Sequence, residues 1–208
     1  MLLGLVADIH EDVESLDTAL GRFRQRQVDL VVSLGDACDS FSDIGRSREV
    51  VALLREARAV GVWGNHDFGL CTNVRDDVRA EAGSEVLEFM AGMKPQLVVD
   101  DIRFSHVEPW LDANRFEDLW YYEGPPDTVE QASSSFAAVP ERLMFLGHFH
   151  CWLAMTRSGR VAWTGDRPLN LIDDERYLIV VAPVVCGWCA TYDTERSELL
   201  PLRCGEPA

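Results

Sequence analysis

Positive charge is what this chain has least of. Its 19 Lys and Arg stand against 35 Asp and Glu, for a formal net charge of -16. A groove that tracks nucleic-acid phosphates needs clustered Lys and Arg, so that class of partner is not expected. Long apolar runs are missing as well, since no stretch reaches the roughly 20 residues of a membrane span. The apolar start Met1–Ala7 lacks a basic leader, sufficient length and a small-residue cleavage pattern, and reads as a strand, not a signal peptide. A cytoplasmic protein is expected. Six cysteines in 208 residues make no disulfide framework. Cys186 and Cys189 have the C-x-x-C spacing that redox or zinc chemistry uses. They follow the apolar run Leu178–Val185, open no evident helix and have no second pair nearby, so packed thiols are expected.

The length suits a single domain spanning residues 1–208. Leu2–Ala7 reads as a buried strand, and Val13, Leu16, Leu20 and Phe23 then recur at helical spacing behind a capping Asp12, with Gly21 a mild weakness. Leu30–Leu34 is the next strand, Ser40–Ser47 a polar loop, Glu49–Arg58 a helix and Ala59–Trp63 a third strand. That rhythm predicts right-handed crossovers and a parallel sheet with helices on its faces. Asp77–Met93 is expected to be one helix. Beyond it the chain turns strand-like at Leu97–Val99, Ile102–Ser105, Leu143–Leu146, Val161–Thr164, Tyr177–Val185 and Ala190–Tyr192, which predicts a second, mixed or antiparallel sheet packed on the first. An aromatic insert (Trp110, Phe116, Trp120, Tyr121, Tyr122) precedes a helix expected over Thr128–Ala138. It could stack a nucleobase or pack a small core of its own.

Histidine is scarce and concentrated. All five lie in short polar clusters that follow apolar runs: Asp8-Ile9-His10, Gly64-Asn65-His66-Asp67, Ser105-His106 and Gly147-His148-Phe149-His150, with Gly35-Asp36-Ala37-Cys38-Asp39 a histidine-free counterpart. In a strand, residues two apart point the same way, so Asp8 with His10 and His148 with His150 are expected to form two clamps. Strand ends are also where open α/β sheets place their sites. With Asp36, Asn65 and His106 the set reaches seven oxygen and nitrogen donors. That is too many for one tetrahedral zinc and suits two divalent ions sharing a carboxylate.

The ordered series Asp8-x-His10, Gly35-Asp36-x-x-Asp39, Gly64-Asn65-His66-Asp67, Ser105-His106 and Gly147-His148-x-His150 resembles the calcineurin-like metallophosphoesterases, in particular their small prokaryotic phosphodiesterases. The resemblance runs from Leu2 to about Gly165. It implies an α/β fold in which a two-layer mixed β-sandwich is flanked by helices, in four αββα layers. It also implies a dinuclear centre of Mn, Fe, Zn or Ni, with Mn the first choice. Asp8, His10, Asp36 and His150 would hold one ion, and Asp36 would bridge to a second held by Asn65, His106 and His148. Two ions about 3.5 to 4 Å apart acidify a bridging water into the attacking hydroxide and clamp both oxygens of an in-line displacement. By the same resemblance His66 is the general acid, oriented by Asp39, and Asn65 and His66 meet the substrate, a small phosphoester or nucleotide. For Asp39 a loop carboxylate capping backbone amides is the alternative, and Asp67 is expected to be structural.

The chain departs from the family's pattern at several points. Asp39 is followed by Ser40-Phe41 where the Ser/Thr protein phosphatases have Arg-Gly, and His10 by Glu11-Asp12 where Gly-Asn is usual. Val107 replaces a glycine after His106, and Ala182-Pro183-Val184-Val185 stands where a Gly-Ser-Val-Gly turn is common. A non-catalytic metal-binding scaffold of the same fold is the alternative to an enzyme. A redox or zinc module on Cys186 and Cys189 is a third reading.

Overall fold

The apolar run after Met1 forms strand β1 (Leu2–Val6), whose side chains alternate between two buried faces: Leu3 and Leu5 enter one core and Val6 another. The computed structural model describes residues 1–40 and 45–205. Helix α1 (Val13–Arg26) begins where the Asp12 carboxylate accepts from the Ser15 amide at 3.0 Å, a cap worth about 1 kcal/mol. It buries Leu16, Ala19, Leu20 and Phe23 and returns the chain to β2 (Leu30–Leu34). Helix α2 (Ser47–Glu56) leads in the same way to β3 (Val60–Val62). β1, β2 and β3 are parallel, as the strand–helix–strand rhythm predicts. Of the expected loop at 40–47, residues 41–44 lie outside the described residues, and Ser47 already belongs to α2.

A short helix α3 (Phe68–Cys71) precedes α4 (Asp76–Ala82) and α5 (Ser84–Met90). The single helix expected over Asp77–Met93 is therefore two. Gly83 separates them at φ +80°, a conformation that side chains with a Cβ rarely adopt. The second half supplies β4 (Gln96–Val99), β5 (Ile102–Ser105), α6 (Phe116–Leu119), α7 (Val129–Ala138), β6 (Leu143–Leu146) and β7 (Leu153–Thr156). It ends with β8 (Gly159–Arg160), β9 (Leu169–Asn170), β10 (Tyr177–Val180), β11 (Trp188–Asp193) and β12 (Glu198–Arg203).

Two mixed sheets result, ordered β3-β2-β1-β11-β12-β9 and β4-β5-β6-β10-β7-β8. Leu3, Leu5, Val32, Leu34 and Tyr192 of the first sheet face Phe104, Phe145, Tyr177 and Ile179 of the second in one core. On the outer faces, Val6, Val31 and Cys189 pack under α1, α2 and α5, and Met144, Leu146, Leu178 and Val180 pack under α7. The layers are therefore αββα, as expected. Burial on both faces explains why β1, β6 and β10 are continuous apolar runs and do not alternate with polar residues.

Val161–Thr164 is not a strand. The apolar run is irregular chain in which Trp163 is buried and its indole Nε1 donates to the Arg167 carbonyl at 2.7 Å. The expected strand Tyr177–Val185 stops at Val180, because Pro183 has no amide to give and Val184–Cys186 winds into a 3-10 turn. That turn is put to use: Val184 and Val185 donate to the carbonyls of Ala7 and Asp8 at 2.8 and 3.3 Å, bracing the exit of β1. Packed thiols are found at Cys189 and Cys204, two buried free cysteines that hydrogen-bond to each other, but Cys186 is exposed. No helix among the described residues is long and apolar enough to cross a membrane.

Candidate metal centre

Parallel strands bring the polar clusters together. Asp8 and His10 follow β1, Asp36 and Asp39 follow β2, Asn65 and His66 follow β3, His106 follows β5, and His148 and His150 follow β6. The ladder between β1 and β2 continues past both strands, with the Asp8 amide donating to Gly35 and those of Ile9 and His10 to Asp36. Asp8 and His10 do come together, although not by strand alternation, whereas the expected clamp of His148 with His150 does not form, His148 facing Asn65 and His150 facing Asp8. Asp8, His10, Asp36, His148 and His150 all have positive φ, between 44° and 69°. Each such residue costs of order 1 to 3 kcal/mol and persists only where its surroundings fix it. A left-handed kink, not a pleat, turns these side chains toward one another.

Two sub-clusters result. In the first, His10 Nε2 and His150 Nε2 are 3.4 Å apart, and His150 Nε2 lies 3.4 Å from Asp8 Oδ1. In the second, Asn65 Oδ1 lies 2.9 Å from His106 Nε2 and 3.1 Å from His148 Nδ1. Asp36 stands between them, its Oδ2 lying 3.3 Å from His106 Nε2 and 3.8 Å from His10 Nε2. Its Oδ1 accepts from the His66 amide at 2.9 Å, so Oδ2 is the oxygen that both sub-clusters share. Glycines permit this density. A Cβ on Gly64 would meet Asp36 Oδ1 at 2.1 Å, and one on Gly35 would meet His106 Nδ1 at 2.5 Å.

The donor set fits divalent ions. Donors about 2.1 Å from an ion lie about 3.0 Å apart along an octahedral edge and about 3.4 Å apart along a tetrahedral one. The spacings from 2.9 to 3.4 Å fall on those edges. Asp8 and Asp36 are buried, and among the described residues the side chains at ion-pair distance from them are imidazoles, a carboxylate and imidazole set that suits a divalent cation. Asp8 with His10 and His150, His10 with Asp36 and His66, and Asp8 with Asp36 and His106 each bring their donor atoms within 4.8 Å. His66 thus also borders the first sub-cluster.

Electrostatics prepares the rings. His106 Nδ1 lies 2.8 Å from the Leu34 carbonyl, which accepts a hydrogen bond from the Nδ1–H and leaves Nε2 to face Asn65 and Asp36. Burial lowers the pKa of His106, yet the charge and hydrogen bond of Asp36 prevail and push it up to about 9. For Asp36 burial works the other way, and His106 and His10 hold the carboxyl well below the usual range. Burial, then the charge of His106, pushes His148 down to about 4. Burial also lowers His10, whereas a hydrogen bond to Asp8 raises His150.

The remaining expected site residues lie at the rim. His66 Nδ1 is 3.3 Å from Asp39 Oδ1, and both side chains are about one quarter exposed. Asp67 accepts from the amides of Ala37, Cys38 and Gly64 at 3.2, 2.9 and 3.0 Å, tying the loop after β2 to the loop after β3. Burial, then the charge of Asp36, pushes its pKa up to about 7, against the pull of those three amides. Two supports were not foreseen. The Glu11 carboxylate accepts from the Arg46 amide at 2.9 Å and from Ser47 Oγ at 2.5 Å, fastening the β1 loop to the start of α2. Trp120 and Tyr122 of the insert stand beside His66 and His148, with ring centroids 5.2 and 5.7 Å away.

Strained backbone and buried carboxylates predict a stability link. Saturation with Mn²⁺ at about 1,000 times its dissociation constant should stabilise the native state by about 4 kcal/mol, a rise of roughly 10 °C in Tm for a chain of this size. A melting curve left unmoved by verified chelation and reloading would contradict it.

Comparison with known proteins agrees with the geometry. Residues 1–166 match the calcineurin-like phosphoesterase superfamily domain. The chain is similar to an uncharacterized protein of Methanocaldococcus jannaschii, 24% identical over 195 residues that cover 86% of this chain and 74% of that one. Its fold matches a metallophosphoesterase from Sphaerobacter thermophilus with a TM-score of 0.77 at 21% identity, over 98% of this chain and 87% of the other. It also matches a hypothetical protein of Pyrococcus horikoshii with a TM-score of 0.72 at 13% identity, over 100% and 88%. With a domain match over most of its length, candidate donors at five strand ends and the αββα layers, this chain belongs to the calcineurin-like phosphoesterase superfamily.

Proposed function

We propose that the protein is a metal-dependent hydrolase of small phosphoesters, nucleotides among them, with two divalent ions as cofactors. Mn is the first choice, with Fe, Zn and Ni as alternatives. The observation that carries this reading is the convergence of Asp8, His10, Asp36, Asn65, His106, His148 and His150 at five strand ends, where among the described residues the buried carboxylates meet no cationic side chain but imidazole. Asp8, His10, Asp36 and His150 would hold one ion, and Asp36, Asn65, His106 and His148 the other. Bound there, the ions would supply positive charge against the phosphoryl oxygens and acidify the attacking water.

The chain's own residues supply the rest. The Leu34 carbonyl accepts from His106 Nδ1, so that Nε2 is the ring nitrogen that faces Asn65 and Asp36. The His66 amide holds Asp36 Oδ1 and thereby sets the direction of Oδ2. Asp39 stands at Nδ1 of His66 and orients the ring, so the His66 Nε2 proton is aimed away from Asp39, toward the leaving oxygen. Asn65 and His66 flank the substrate. The acidic surface favours a small ester over a polynucleotide, and the six unpaired cysteines fit a reducing, cytoplasmic setting.

The test is a panel of phosphomonoesters and phosphodiesters offered to chelated protein and to protein reloaded with Mn, Mg, Ni or Zn. Hydrolysis that appears only on reloading is the expected result. Two bound ions with no turnover of any ester would point to a metal-binding scaffold instead.

A further inference from the structure

The C-x-x-C spacing offers Cys186 as the partner of Cys189, and the fold supplies another. Cys186 ends the 3-10 turn Val184–Cys186 and is exposed, whereas Cys189 lies on β11 and is buried. β11 and β12 run antiparallel with Cys189 opposite Leu202, and past Arg203 the ladder continues where the Cys204 amide donates to the Gly187 carbonyl at 2.9 Å. Residues two apart on a strand share a face, so Cys189 and Cys204 both enter the core under α1, with Val6, Leu16 and Leu20. Gly187, opposite Cys204, puts no side chain between them and has no room for one, since a Cβ there would meet the Gly205 carbonyl oxygen at 2.6 Å. Across that gap the two thiols hydrogen-bond to each other.

The pair is chemically unequal. The hydrogen bond from Cys189 lowers the pKa of Cys204 against the effect of burial, while the same bond and burial together raise Cys189. Cys189 is thus the donor, and Cys204 carries the sulfur closer to a thiolate. Arg22, on α1, adds a positive charge that favours the thiolate of either residue. Cys204 also lies directly after the last residue of β12, and strand ends open locally before the middle of a sheet does. A small oxidant therefore reaches the more reactive sulfur first.

We propose that Cys189 and Cys204 form a redox site, which a hydroperoxide closes to a disulfide and a dithiol reductant reopens. The Cys204 sulfur attacks the peroxide O–O bond, taking one oxygen as a sulfenic acid and releasing the other as an alcohol or water. The Cys189 sulfur then attacks the sulfenic sulfur, so that the S–S bond forms and water leaves. Two thiols have lost two electrons and two protons, and the hydroperoxide has gained them; thiol–disulfide exchange with the reductant returns both. The crosslink would close a loop of about 15 residues and tie β12 to the segment that supports the site. There the Gly187 amide donates to the Val184 carbonyl at 2.7 Å, and Val184 and Val185 in turn hold the carbonyls of Ala7 and Asp8.

The experiment exposes reduced, Mn-loaded protein to hydrogen peroxide, then unfolds it, alkylates the remaining thiols and maps the peptides by mass. Two of the six thiols should escape alkylation, and the linked peptides should be those of Cys189 and Cys204. Dithiothreitol should restore all six. The oxidised protein should melt higher by roughly 6 to 12 °C, the shift for a closed loop of that length in a chain of this size. Cys189→Ser should stop at a sulfenic acid on Cys204, which dimedone traps, whereas Cys186→Ser should leave the crosslink intact. The wild-type peptide map decides the matter alone if Cys189→Ser does not fold. Six alkylated thiols after peroxide treatment, a crosslink joining Cys186 to Cys189, or an oxidised protein that melts no higher would each overturn the redox site.

Discussion

His66→Asn should keep both metal ions and lose turnover by roughly 10²- to 10⁴-fold, the usual worth of a general acid. The variant leaves the scaffold alone. The bond from the residue-66 amide to Asp36 Oδ1 and those from Ser40 to the residue-66 carbonyl are made by backbone atoms of that residue, which asparagine retains. What it removes is a ring whose Nδ1 faces Asp39 at 3.3 Å, with Nε2 directed away from it. The loss should therefore depend on the leaving group. A nitrophenolate departs without much help, whereas an alkoxide needs the proton, so the variant should be hurt more on alkyl than on aryl esters. Asp39→Asn should show a smaller loss with the same dependence, because it disturbs only the ring's orientation or tautomer. Metal analysis and rates on paired aryl and alkyl esters for the three proteins decide the matter. Equal rates for wild type and variant on every ester, with two ions bound throughout, would remove His66 from the chemistry and favour a scaffold.

Much of this was legible in the residues because the information is local. Leu2–Val6 and Leu143–Leu146 are short, apolar and buried on both faces, so periodicity identifies them as interior strands, and the polar clusters that end them mark the site. The rest depends on partners distant in sequence. Glu198–Arg203 is a strand because it pairs with Trp188–Asp193, although Pro201 argues against one. Leu153–Thr156 lacks β-branched bulk until its last residue and is held by Tyr177–Val180. Val161–Thr164 is a short apolar run like a strand, yet Trp163 finds its partner four residues on, at the Arg167 carbonyl. In the site, pairing Asp8 with His10 by strand alternation joined the right residues for the wrong reason. Positive φ at non-glycine residues is invisible to propensity and is imposed by the loops around them. The placement of Trp120 against His66 likewise depends on how the insert folds over the loop after β3.

The other large effect belongs to Asp36, where one carboxylate joins both sub-clusters. Asp36→Asn is expected to lower affinity for both ions by more than about 10²-fold, beyond the 10- to 100-fold that loss of an outer hydrogen-bonding partner typically costs. Asparagine can still accept the His66 amide through its Oδ1, so the loop after β3 keeps its anchor. At the other atom it replaces an anionic oxygen with an NH₂ group facing His106 Nε2, 3.3 Å from Oδ2 in the parent chain, and His10 Nε2, 3.8 Å away. A donor set against those nitrogens repels an ion from either side of the shared position. Asp8→Asn makes the contrast, since the distances tie Asp8 to His150 in the first sub-cluster. That variant should lose the first ion and retain some of the second. Elemental analysis after dialysis against Mn²⁺ reads both outcomes, with the Tm of the chelated proteins as the control for folding. An Asp36→Asn protein still loaded with two ions, or one that loses only a single ion, would show that Asp36 does not bridge.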